Sequence, residues 1–420
     1  MIYYAEGGPE RDLKKEEIGA ALRAALGGFA DRKRVLVLPP DITRAHSGAG
    51  LITELLWQQL GSKLQDILPA LGTHVPMETG EISKMFGTVP HSLFREHNWR
   101  TDIEELGRIP SSFVSEATGG KLDFDYPIQV NRLIASGGHD LIISVGQVVP
   151  HEVTGMANFN KNVFVGCGGS EAINKSHFIG ATYGIENILG TTDNPVRTVL
   201  NKASELTSGR LPLLYMLTVV SPDTVGNLVI RGLYIGDDIG CFEQASALSR
   251  KVNFTTLPQR LARVVVWLNP GEFKSTWLGN KSIYRTRMAI ADGGEVVVLA
   301  PGVKTFGEDP AIDKLVRKYG YRTTPEILAF VEANEDLKEN LGAAAHLLHG
   351  SPENRFRVTY AAGHLSREEV ESVGYSFGDI TELMKRYDPY SLTTGFHSTP
   401  DGEEFYFISN PATGLWKAER

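Results

Sequence analysis

Three residues between positions 151 and 177 have types and spacings that suit catalysis. His151 is followed by Lys161 ten residues later and by His177 sixteen residues beyond that, with the glycine-rich stretch 166–169 between the last two. Imidazole titrates near neutral pH, so a histidine can move a proton or bind a metal ion. The histidines are not one helical turn apart as in a zinc protease, and no Gly-Lys-Ser/Thr follows the glycines as in a phosphate-binding loop. The run therefore indicates chemistry outside those two common motifs.

Polar residues of similar types stand at two places earlier in the chain. Asp41 and Arg44 belong to the sequence Asp-Ile-Thr-Arg, and His74 closes the sequence Gly-Thr-His. A lone histidine in a loop is more often a hydrogen-bonded structural residue than a catalyst. Several such residues, each placed after a predicted strand, are better evidence for a site than any one of them.

The elements that must position these residues alternate between short apolar runs and longer helical stretches. Buried strands are predicted over residues 35–38, 67–71, 141–145, 163–165 and 213–220, with apolar residues at helical spacing between them, for example over 52–64. This alternation predicts a largely parallel sheet with helices on both faces. The polar residues named above follow these strands, at the edge where ligands bind in such sheets.

A second series of elements begins near residue 258. Strands are predicted over 263–268, 295–300, 356–361 and 404–408, and helices over 310–319 and 325–335. We therefore predict an α/β protein of two domains: residues 1–257 with a doubly wound, mostly parallel sheet, and residues 258–420 with a smaller α/β fold. The prediction leaves open whether the last residues pack back on the first domain. We expect the site in a cleft between the domains.

Composition excludes several classes of protein. The chain is 42% hydrophobic and 22% charged with a formal net charge of −8, so no basic patch for nucleic acid is expected. It contains no apolar run long enough for a membrane span and no signal-peptide pattern at its start, which favours the cytoplasm. Its two cysteines, Cys167 and Cys241, provide neither a disulfide framework nor a thiolate-rich zinc site.

As a set, these motifs resemble those of the lactate racemase family. The Asp-x-Thr-Arg and Gly-x-His loops, a Pro-His, a lysine ten residues later and a histidine sixteen beyond occur there in the same order, and here they give Asp41, Arg44, His74, His151, Lys161 and His177. The resemblance covers roughly residues 35–300. Each motif alone is weak, and the ordered set is specific.

The resemblance implies a racemase or epimerase of 2-hydroxy acids that uses a nickel-pincer nucleotide. This pyridinium-derived mononucleotide, with nickel held by one carbon and two sulfurs, would be tethered to Lys161 as a thioamide, with His177 as the protein ligand of the nickel. Hydride would pass reversibly from substrate C2 to the cofactor.

The resemblance also assigns roles to the remaining residues. His74 and His151 would flank the substrate and exchange its hydroxyl proton. Asp41 would orient a histidine and Arg44 would hold the substrate carboxylate, both beside the cofactor. The implied partner is a small 2-hydroxy acid, with no nucleic acid or membrane, and the oligomeric state stays open.

Two departures from the family pattern bear on the substrate. Where the family has Ser-Gly-Gly before the lysine, this chain has Ala-Asn-Phe-Asn, so Asn158 and Asn160 add amides that we expect near the cofactor. Where the family has Gln-x-x-Lys, this chain has Leu278-Gly-Asn-Lys281, which keeps the lysine as a substrate contact and loses the glutamine. These changes favour a polyhydroxylated acid, for example the epimerisation of gluconate and mannonate at C2. The alternative to a substrate contact is that Lys281 is a solvated surface lysine without a function.

Three other functions remain open from the sequence. A strand over 163–165 followed by Gly-x-Gly could begin the dinucleotide loop of an NAD-dependent oxidoreductase, although the third glycine position holds Glu171. His74, His151 and His177 could instead bind zinc or iron in a hydrolase, which leaves Lys161 and Arg44 without a role. The third alternative is a metal- or solute-binding protein without catalytic activity.

Overall fold

The computed structural model describes residues 1–419, and the chain forms two compact units. The first comprises Met1–Ile179 and Ile188–Asn253, and the second comprises Gly180–Asn187 and the chain from Phe254 onward. The division at residues 253/254 lies four residues before the predicted boundary. The short strand Phe254–Leu257 pairs in parallel with Leu415–Ala418, which accounts for its place in the second unit.

A six-stranded sheet forms the centre of the first unit. The strands between Met1 and Asn253 are β1 (Ile2–Gly7), β2 (Val35–Leu38), β3 (Leu64–Ile67), β4 (Ile103–Ile109), β5 (Tyr126–Asn131), β6 (Leu141–Gln147), β7 (Pro150–His151), β8 (Gly155–Met156), β9 (Leu213–Pro222) and β10 (Leu228–Gly236). The sheet order is β1-β10-β9-β6-β2-β3. From β9 to β3 the neighbouring strands are parallel, while β10 and β1 add an antiparallel edge.

Helices cover this sheet and bury its central strands. The helices of this unit are α1 (Lys15–Leu26), α2 (Ala49–Leu60), α3 (Thr79–Phe86), α4 (Ser111–Ala117), α5 (Arg132–Ser136), α6 (Ser170–Tyr183), α8 (Pro195–Leu206) and α9 (Ile239–Asn253), while α7 (Ile185–Ile188) falls almost wholly in the segment Gly180–Asn187 of the second unit. Every residue of β2 and β6 is buried, as expected for parallel strands covered on both faces. Apolar residues of α1 and α2 pack against alternate residues of β2 and β6, for example Val37 and Ile143.

The second unit contains its own six-stranded sheet. The strands of the whole unit are β11 (Phe254–Leu257), β12 (Leu261–Trp267), β13 (Ile290–Ala300), β14 (Arg357–Ala362), β15 (Ser376–Phe377), β16 (Gly395–Ser398), β17 (Glu404–Ile408) and β18 (Leu415–Ala418), of which β11 and β18 pair separately from the six-stranded sheet. Its helices after residue 253 are α10 (Thr276–Gly279), α11 (Lys281–Tyr284), α12 (Pro310–Tyr319), α13 (Thr324–Ala333), α14 (Glu335–Lys338), α15 (Leu341–Gly350), α16 (Arg367–Ser372) and α17 (Ile380–Arg386). The order is β15-β14-β13-β12-β17-β16, parallel except for the last pair.

The predicted α/β class and most predicted strands are confirmed. The prediction over 35–38 coincides with β2, those over 141–145 and 213–220 lie within β6 and β9, and that over 404–408 coincides with β17. The strand predicted over 67–71 is shifted, because the regular ladder of β3 ends at Ile67. Beyond it Leu68 and Ala70 still donate to backbone carbonyls, but Pro69 has no N–H to contribute.

Two further findings concern the chain between residues 1 and 419. None of its helices is both long and apolar enough to cross a lipid bilayer. Cys167 and Cys241 are buried free thiols, and burial raises the pKa of each.

Candidate active site

Asp41 stands at the start of a short 3₁₀ helix, Ile42–Ser47, just beyond β2. Pro39 and Pro40 precede it and favour an extended backbone that ends the strand. Its buried carboxylate caps the helix by accepting hydrogen bonds from Thr43 N at 3.1 Å and Thr43 Oγ1 at 2.5 Å. Only one oxygen is used in this way, so the other is free to bind a second group.

That second group is His74, which lies in the loop after β3. Its Nδ1 is 2.6 Å from Asp41 Oδ2, and since a carboxylate can only accept, Nδ1 carries the proton. Nε2 of a neutral ring therefore holds a lone pair. Burial opposes ionisation of Asp41, but the hydrogen bonds from His74 and Thr43 and the charge of Arg44 outweigh it and lower the pKa of this carboxyl. The pair is thus an ionised aspartate that orients a histidine.

His151 has the opposite tautomer. It ends the short strand β7, which pairs with β8, and its side chain is buried. The backbone N–H of Val153 donates to His151 Nδ1 at 3.1 Å, so a neutral ring carries its proton on Nε2. Glu152 Oε2 lies 4.0 Å from the same Nδ1, close enough to pair with the ring if it becomes protonated. In their neutral forms, His74 can therefore accept a hydrogen bond at Nε2 and His151 can donate one from Nε2.

The backbone before Lys161 turns sharply through two left-handed residues. Asn158 has φ 64° and Phe159 has φ 58°, a conformation that costs a residue other than glycine about 1–2 kcal/mol. Asn158 Oδ1 accepts from Phe159 N at 2.7 Å, and a Cβ at Gly146 would lie 2.1 Å from Asn158 Nδ2. A side chain at position 146 would therefore displace the Asn158 amide from the place that it occupies in this turn.

Asn160 serves a structural function that the sequence does not predict. It is fully buried, and its Nδ2 donates to Asn201 Oδ1 at 2.8 Å and to Ser204 Oγ at 3.1 Å on α8. Its Oδ1 accepts from Arg197, also on α8. These contacts occupy the amide, so its expected place beside the cofactor stays a prediction. Asn158 lies at the same turn with 6% of its surface exposed.

Lys161 is half-buried at the end of this turn, and its amine is unusually easy to deprotonate. Burial, followed by the charge of Arg44, lowers its pKa to about 8 against the opposing effects of Glu152 and Asp41. Within residues 1–419 its ammonium has neither a hydrogen bond nor an ion pair. A lysine of this kind supplies an appreciable fraction of neutral, nucleophilic amine near neutral pH.

The residues after Lys161 form a π-helix, Asn162–Gly166, and not the strand predicted over 163–165. The prediction was wrong because Val-Phe-Val is apolar and partly β-branched, while tertiary contacts fix a helical turn. Asn162 anchors this π-helix by donating to Leu38 O, at the end of β2, at 3.0 Å and to Ser144 Oγ, within β6, at 3.1 Å. Since no strand precedes the glycines, the dinucleotide-loop alternative loses the structural context that its motif requires.

His177 lies on α6, which follows the glycine-rich stretch. Its Nδ1 donates to Ile173 O at 2.7 Å, which leaves the Nε2 lone pair available. Burial lowers its pKa to about 4, and the nearby charge of Lys161 acts in the same direction, so the ring is neutral at pH 7. A neutral imidazole with one nitrogen fixed by a carbonyl is a good ligand for nickel or zinc. Residues 1–419 contain no group of three or more His, Cys, Asp or Glu arranged around a metal ion, so the three histidines do not form such a set.

Arg44 and Lys281 were predicted to contact the substrate carboxylate. Arg44 is half-buried with non-helical backbone angles (φ −116°, ψ 26°), and its charge acts on both Asp41 and Lys161. Lys281 begins α11 in the second unit and is 9% exposed, with its ammonium 5.8 Å from the centre of the Phe273 ring. Lys281 is therefore not a solvated surface lysine, and its role toward substrate stays a prediction.

The first unit thus gathers Asp41, Arg44, His74, Lys161 and His177 into one set of interacting charges and hydrogen bonds. Sequence reasoning missed two members of this region, Glu152 and Arg197. Glu152 acts electrostatically on Lys161 and His177. Its position directly after His151 was the sequence signal that could have identified it. Arg197 carried no local signal, because it lies on an ordinary amphipathic helix far from Lys161 in the chain.

Comparisons with known proteins concern the family and the fold. The family model described as the lactate racemase N-terminal domain matches residues 3–184. A crystal structure of a Thermotoga maritima protein from a structural genomics consortium is 26% identical, covers 99% of this chain and 100% of its own, and superposes with a TM-score of 0.85. The lactate racemase apoprotein from Thermoanaerobacterium thermosaccharolyticum is 14% identical over 98% of this chain and 90% of its own, with a TM-score of 0.69, and so shares the fold. No curated protein matches the chain.

Proposed function

We propose that this chain, whose residues 3–184 belong to the lactate racemase N-terminal domain family, is an isomerase that inverts C2 of a 2-hydroxy acid. The observation that carries the proposal is the 2.6 Å hydrogen bond between Asp41 and His74, within electrostatic reach of Arg44 and Lys161. It supplies an oriented base beside a cation for a carboxylate and an amine for a cofactor. These are the three needs of such a reaction.

Inversion by removal and return of hydride at C2 requires that the hydroxyl proton also be taken and returned. Removal of hydride from C2 gives a 2-keto acid only if the hydroxyl proton leaves as well. His74 accepts that proton at Nε2, and Asp41 stabilises the resulting imidazolium. The proton that the keto acid needs when hydride returns to C2 is donated by the His74 imidazolium, or by His151 in its cationic form, which Glu152 at 4.0 Å from Nδ1 would stabilise. A neutral His151 can donate a hydrogen bond from Nε2 to the substrate oxygen but cannot give up its single ring proton.

Lys161 and His177 fit the cofactor that the family resemblance implies. A nickel-pincer nucleotide, when bound, supplies an acceptor and donor of hydride for substrate C2. Lys161 would hold it through a thioamide, and its lowered pKa of about 8 favours the neutral amine that forms such a bond. His177 would bind the nickel through Nε2, because its Nδ1–H is committed to Ile173 O.

The substrate class is set by the groups that would bind a carboxylate and a polyol. Arg44 offers a guanidinium that can bind a carboxylate through two hydrogen bonds. Leu278 stands where the family has a glutamine and cannot hydrogen-bond, so lactate loses one contact, worth roughly 1.5–3 kcal/mol if charge-assisted. A longer acid with several hydroxyls could recover this through hydrogen bonds to groups such as the side-chain amide of Asn158. We infer that epimerisation of an aldonate, such as gluconate to mannonate, exceeds lactate racemisation.

Deuterium at C2 tests the reaction class. The chain, co-expressed with the cofactor pathway, would be incubated in ordinary water with C2-deuterated lactate, malate, gluconate or mannonate, and the products separated by chiral chromatography and mass. We expect inversion with deuterium retained, because hydride does not exchange with solvent. Inversion with loss of deuterium would mean proton abstraction and would refute the hydride route. Lys161→Ala should fold normally and show no turnover.

The same assay separates the substrate proposal from the reaction proposal. Turnover of an aldonate at least about tenfold faster than lactate, the equivalent of about 1.4 kcal/mol, is expected. Efficient turnover of lactate with none of either aldonate would overturn the sugar-acid assignment and leave the isomerase standing.

A further inference from the structure

Arg197 is a buried cation without a carboxylate partner. It lies in the first turn of α8, where Asn194 caps the helix by accepting from Arg197 N at 3.0 Å, and the residue is 1% exposed. Within residues 1–419 no Asp or Glu forms an ion pair with it, and burial lowers its pKa to about 9, which still leaves it charged at neutral pH. An unpaired charge in a protein interior is costly, so its retention calls for a specific reason.

Its guanidinium instead binds the segment that leads into Lys161. Nη2 donates to Met156 O at 2.6 Å, and Nη1 donates to Asn160 Oδ1 and, at 3.5 Å, to Asn158 O. These three acceptors bracket both left-handed residues of the turn. Arg197 therefore replaces the hydrogen bonds that this irregular backbone cannot make to itself.

The flat face of the Arg197 guanidinium packs against an aromatic ring. Arg197 Cζ lies 4.4 Å from the centre of the Phe242 ring, and Phe242 stacks on Phe159 at 5.1 Å and 15°. Phe159 also contacts Tyr215 at 4.3 Å. Phe242 thus contacts both the guanidinium of Arg197 and the ring of the left-handed Phe159. The attraction between the planar cation and the aromatic face stabilises this contact.

We propose that Arg197 is the positioning residue for Lys161: its fork of hydrogen bonds and its stack on Phe242 fix the 156–160 turn that aims the lysine into the site. The inference rests on the proposed function only for what Lys161 does when aimed. A lysine at position 197 could reach one of the three acceptors and could not span them, because an ammonium lacks the planar fork. Arginine is therefore required for geometry as well as for charge.

The test uses the full-length chain without cofactor, so that no readout depends on turnover. Arg197→Gln removes the charge and the fork, and Arg197→Lys keeps a cationic group and loses the fork. Arg231→Lys is the matched control, because Arg231 is also a buried arginine that donates to backbone carbonyls, at Arg11 O and Pro222 O, both 2.8 Å away. Hydrogen exchange by mass spectrometry would report on the peptide over 156–162.

We expect exchange in that peptide to rise by about tenfold in both Arg197 variants, equal to about 1.4 kcal/mol of local opening, and to stay unchanged in Arg231→Lys. Carbamylation of Lys161 by cyanate across a pH series gives a second readout. The charge of Arg197 itself lowers the pKa of Lys161, so its loss in Arg197→Gln should raise the midpoint whatever the backbone does. Arg197→Lys keeps that charge, as well as Arg44, Glu152 and Asp41, so a rise of its midpoint toward that of an ordinary lysine reports a displaced turn.

Three results would overturn the inference. The first is unchanged exchange and an unchanged midpoint in folded Arg197 variants. The second is a change in Arg197→Gln alone, which would make charge the only contribution. The third is an equal change in Arg231→Lys, which would make the effect general to buried arginines. If the Arg197 variants fail to fold, Asn160→Ala removes one acceptor and leaves the charge, and it should raise exchange in the same peptide; unchanged exchange there would also refute the role. Loss of the proposed racemase activity would not alter any of these outcomes.

Discussion

Replacing Asp41 by asparagine should disable His74 while leaving the loop folded. The asparagine oxygen can still accept from Thr43 N and Thr43 Oγ1, so its NH2 group must face His74 Nδ1, now 2.6 Å from a carboxylate oxygen. Two donors would then meet, and the histidine must move its proton to Nε2. The opposite amide orientation only transfers the conflict to Thr43 N. A charge-assisted hydrogen bond is worth about 1.5–3 kcal/mol, so the reactive tautomer should become rarer by about 10- to 100-fold.

We therefore expect kcat to fall by at least about 10-fold and up to the roughly 10⁴-fold limit of general base catalysis, with nickel content unchanged. Thr43→Val is the control, since it removes one donor to Asp41 and leaves the Asp41–His74 bond; its kcat should stay within about threefold of the parent protein. Nitrogen NMR of the imidazoles reports the tautomer without any cofactor. If Asp41→Asn kept the proton on Nδ1, or kept its kcat, the assigned role of Asp41 would be refuted.

Four further outcomes follow from the same structure. With a pKa of about 8, Lys161 should be about one quarter neutral at pH 7.5 and should be acylated far faster than surface lysines. The acylation rate, measured by peptide mass spectrometry, should rise with pH and level off above pH 9. A rate equal to that of surface lysines would contradict the lowered pKa. His177→Ala should lower the nickel content of cofactor-loaded protein, measured by metal analysis, whereas His91→Ala should not, because His91 is exposed and bound to a serine. Leu278→Gln should raise kcat/KM for lactate by about tenfold relative to aldonates, and no change would sink the contact it is meant to restore. Burial lowers the pKa of His97 to about 4, so the unfolded chain binds more protons than the folded chain below pH 6.5. The free energy of unfolding should therefore fall by up to about 3 kcal/mol between pH 6.5 and pH 4. Thermal melts of His97→Gln should show a smaller fall in stability over the same pH range.

The catalytic candidates could be predicted from sequence because a parallel sheet orders them. The predicted strands 35–38 and 141–145 are adjacent in the sheet as β2 and β6, so the loops that follow them, with Asp41 and His151, leave the same edge. His74 follows β3, the neighbour of β2 on the other side. Each residue is near the end of its strand in the chain, so local pattern and topology together were sufficient to place these residues at one edge of the sheet.

The supporting residues could not be predicted, because their partners are distant in sequence and their local pattern is ordinary. Asn162 bonds to Leu38 and Ser144, and Arg197 bonds to Met156 and Asn160, contacts that span from 18 to 124 residues. The same contacts explain the wrong strand over 163–165. An apolar run with β-branched residues favours a strand only if a sheet edge is available, and here the run is fixed in a π-helix by the asparagine that begins it.

The turn before Lys161 and the arginine that supports it are expected to vary together when the substrate changes. The turn before Lys161 contains no glycine in this chain, and the cost of its left-handed residues is offset by a cation that lies 37 residues further on at Arg197, within reach of Asn160. A sequence with glycines in that turn needs no such cation, so residue types at 158–160 and at 197 should change together. The lysine itself can then stay fixed while the groups around it vary. The chemistry is carried by a few residues at strand ends, and the freedom to change substrate lies in the segments that aim them.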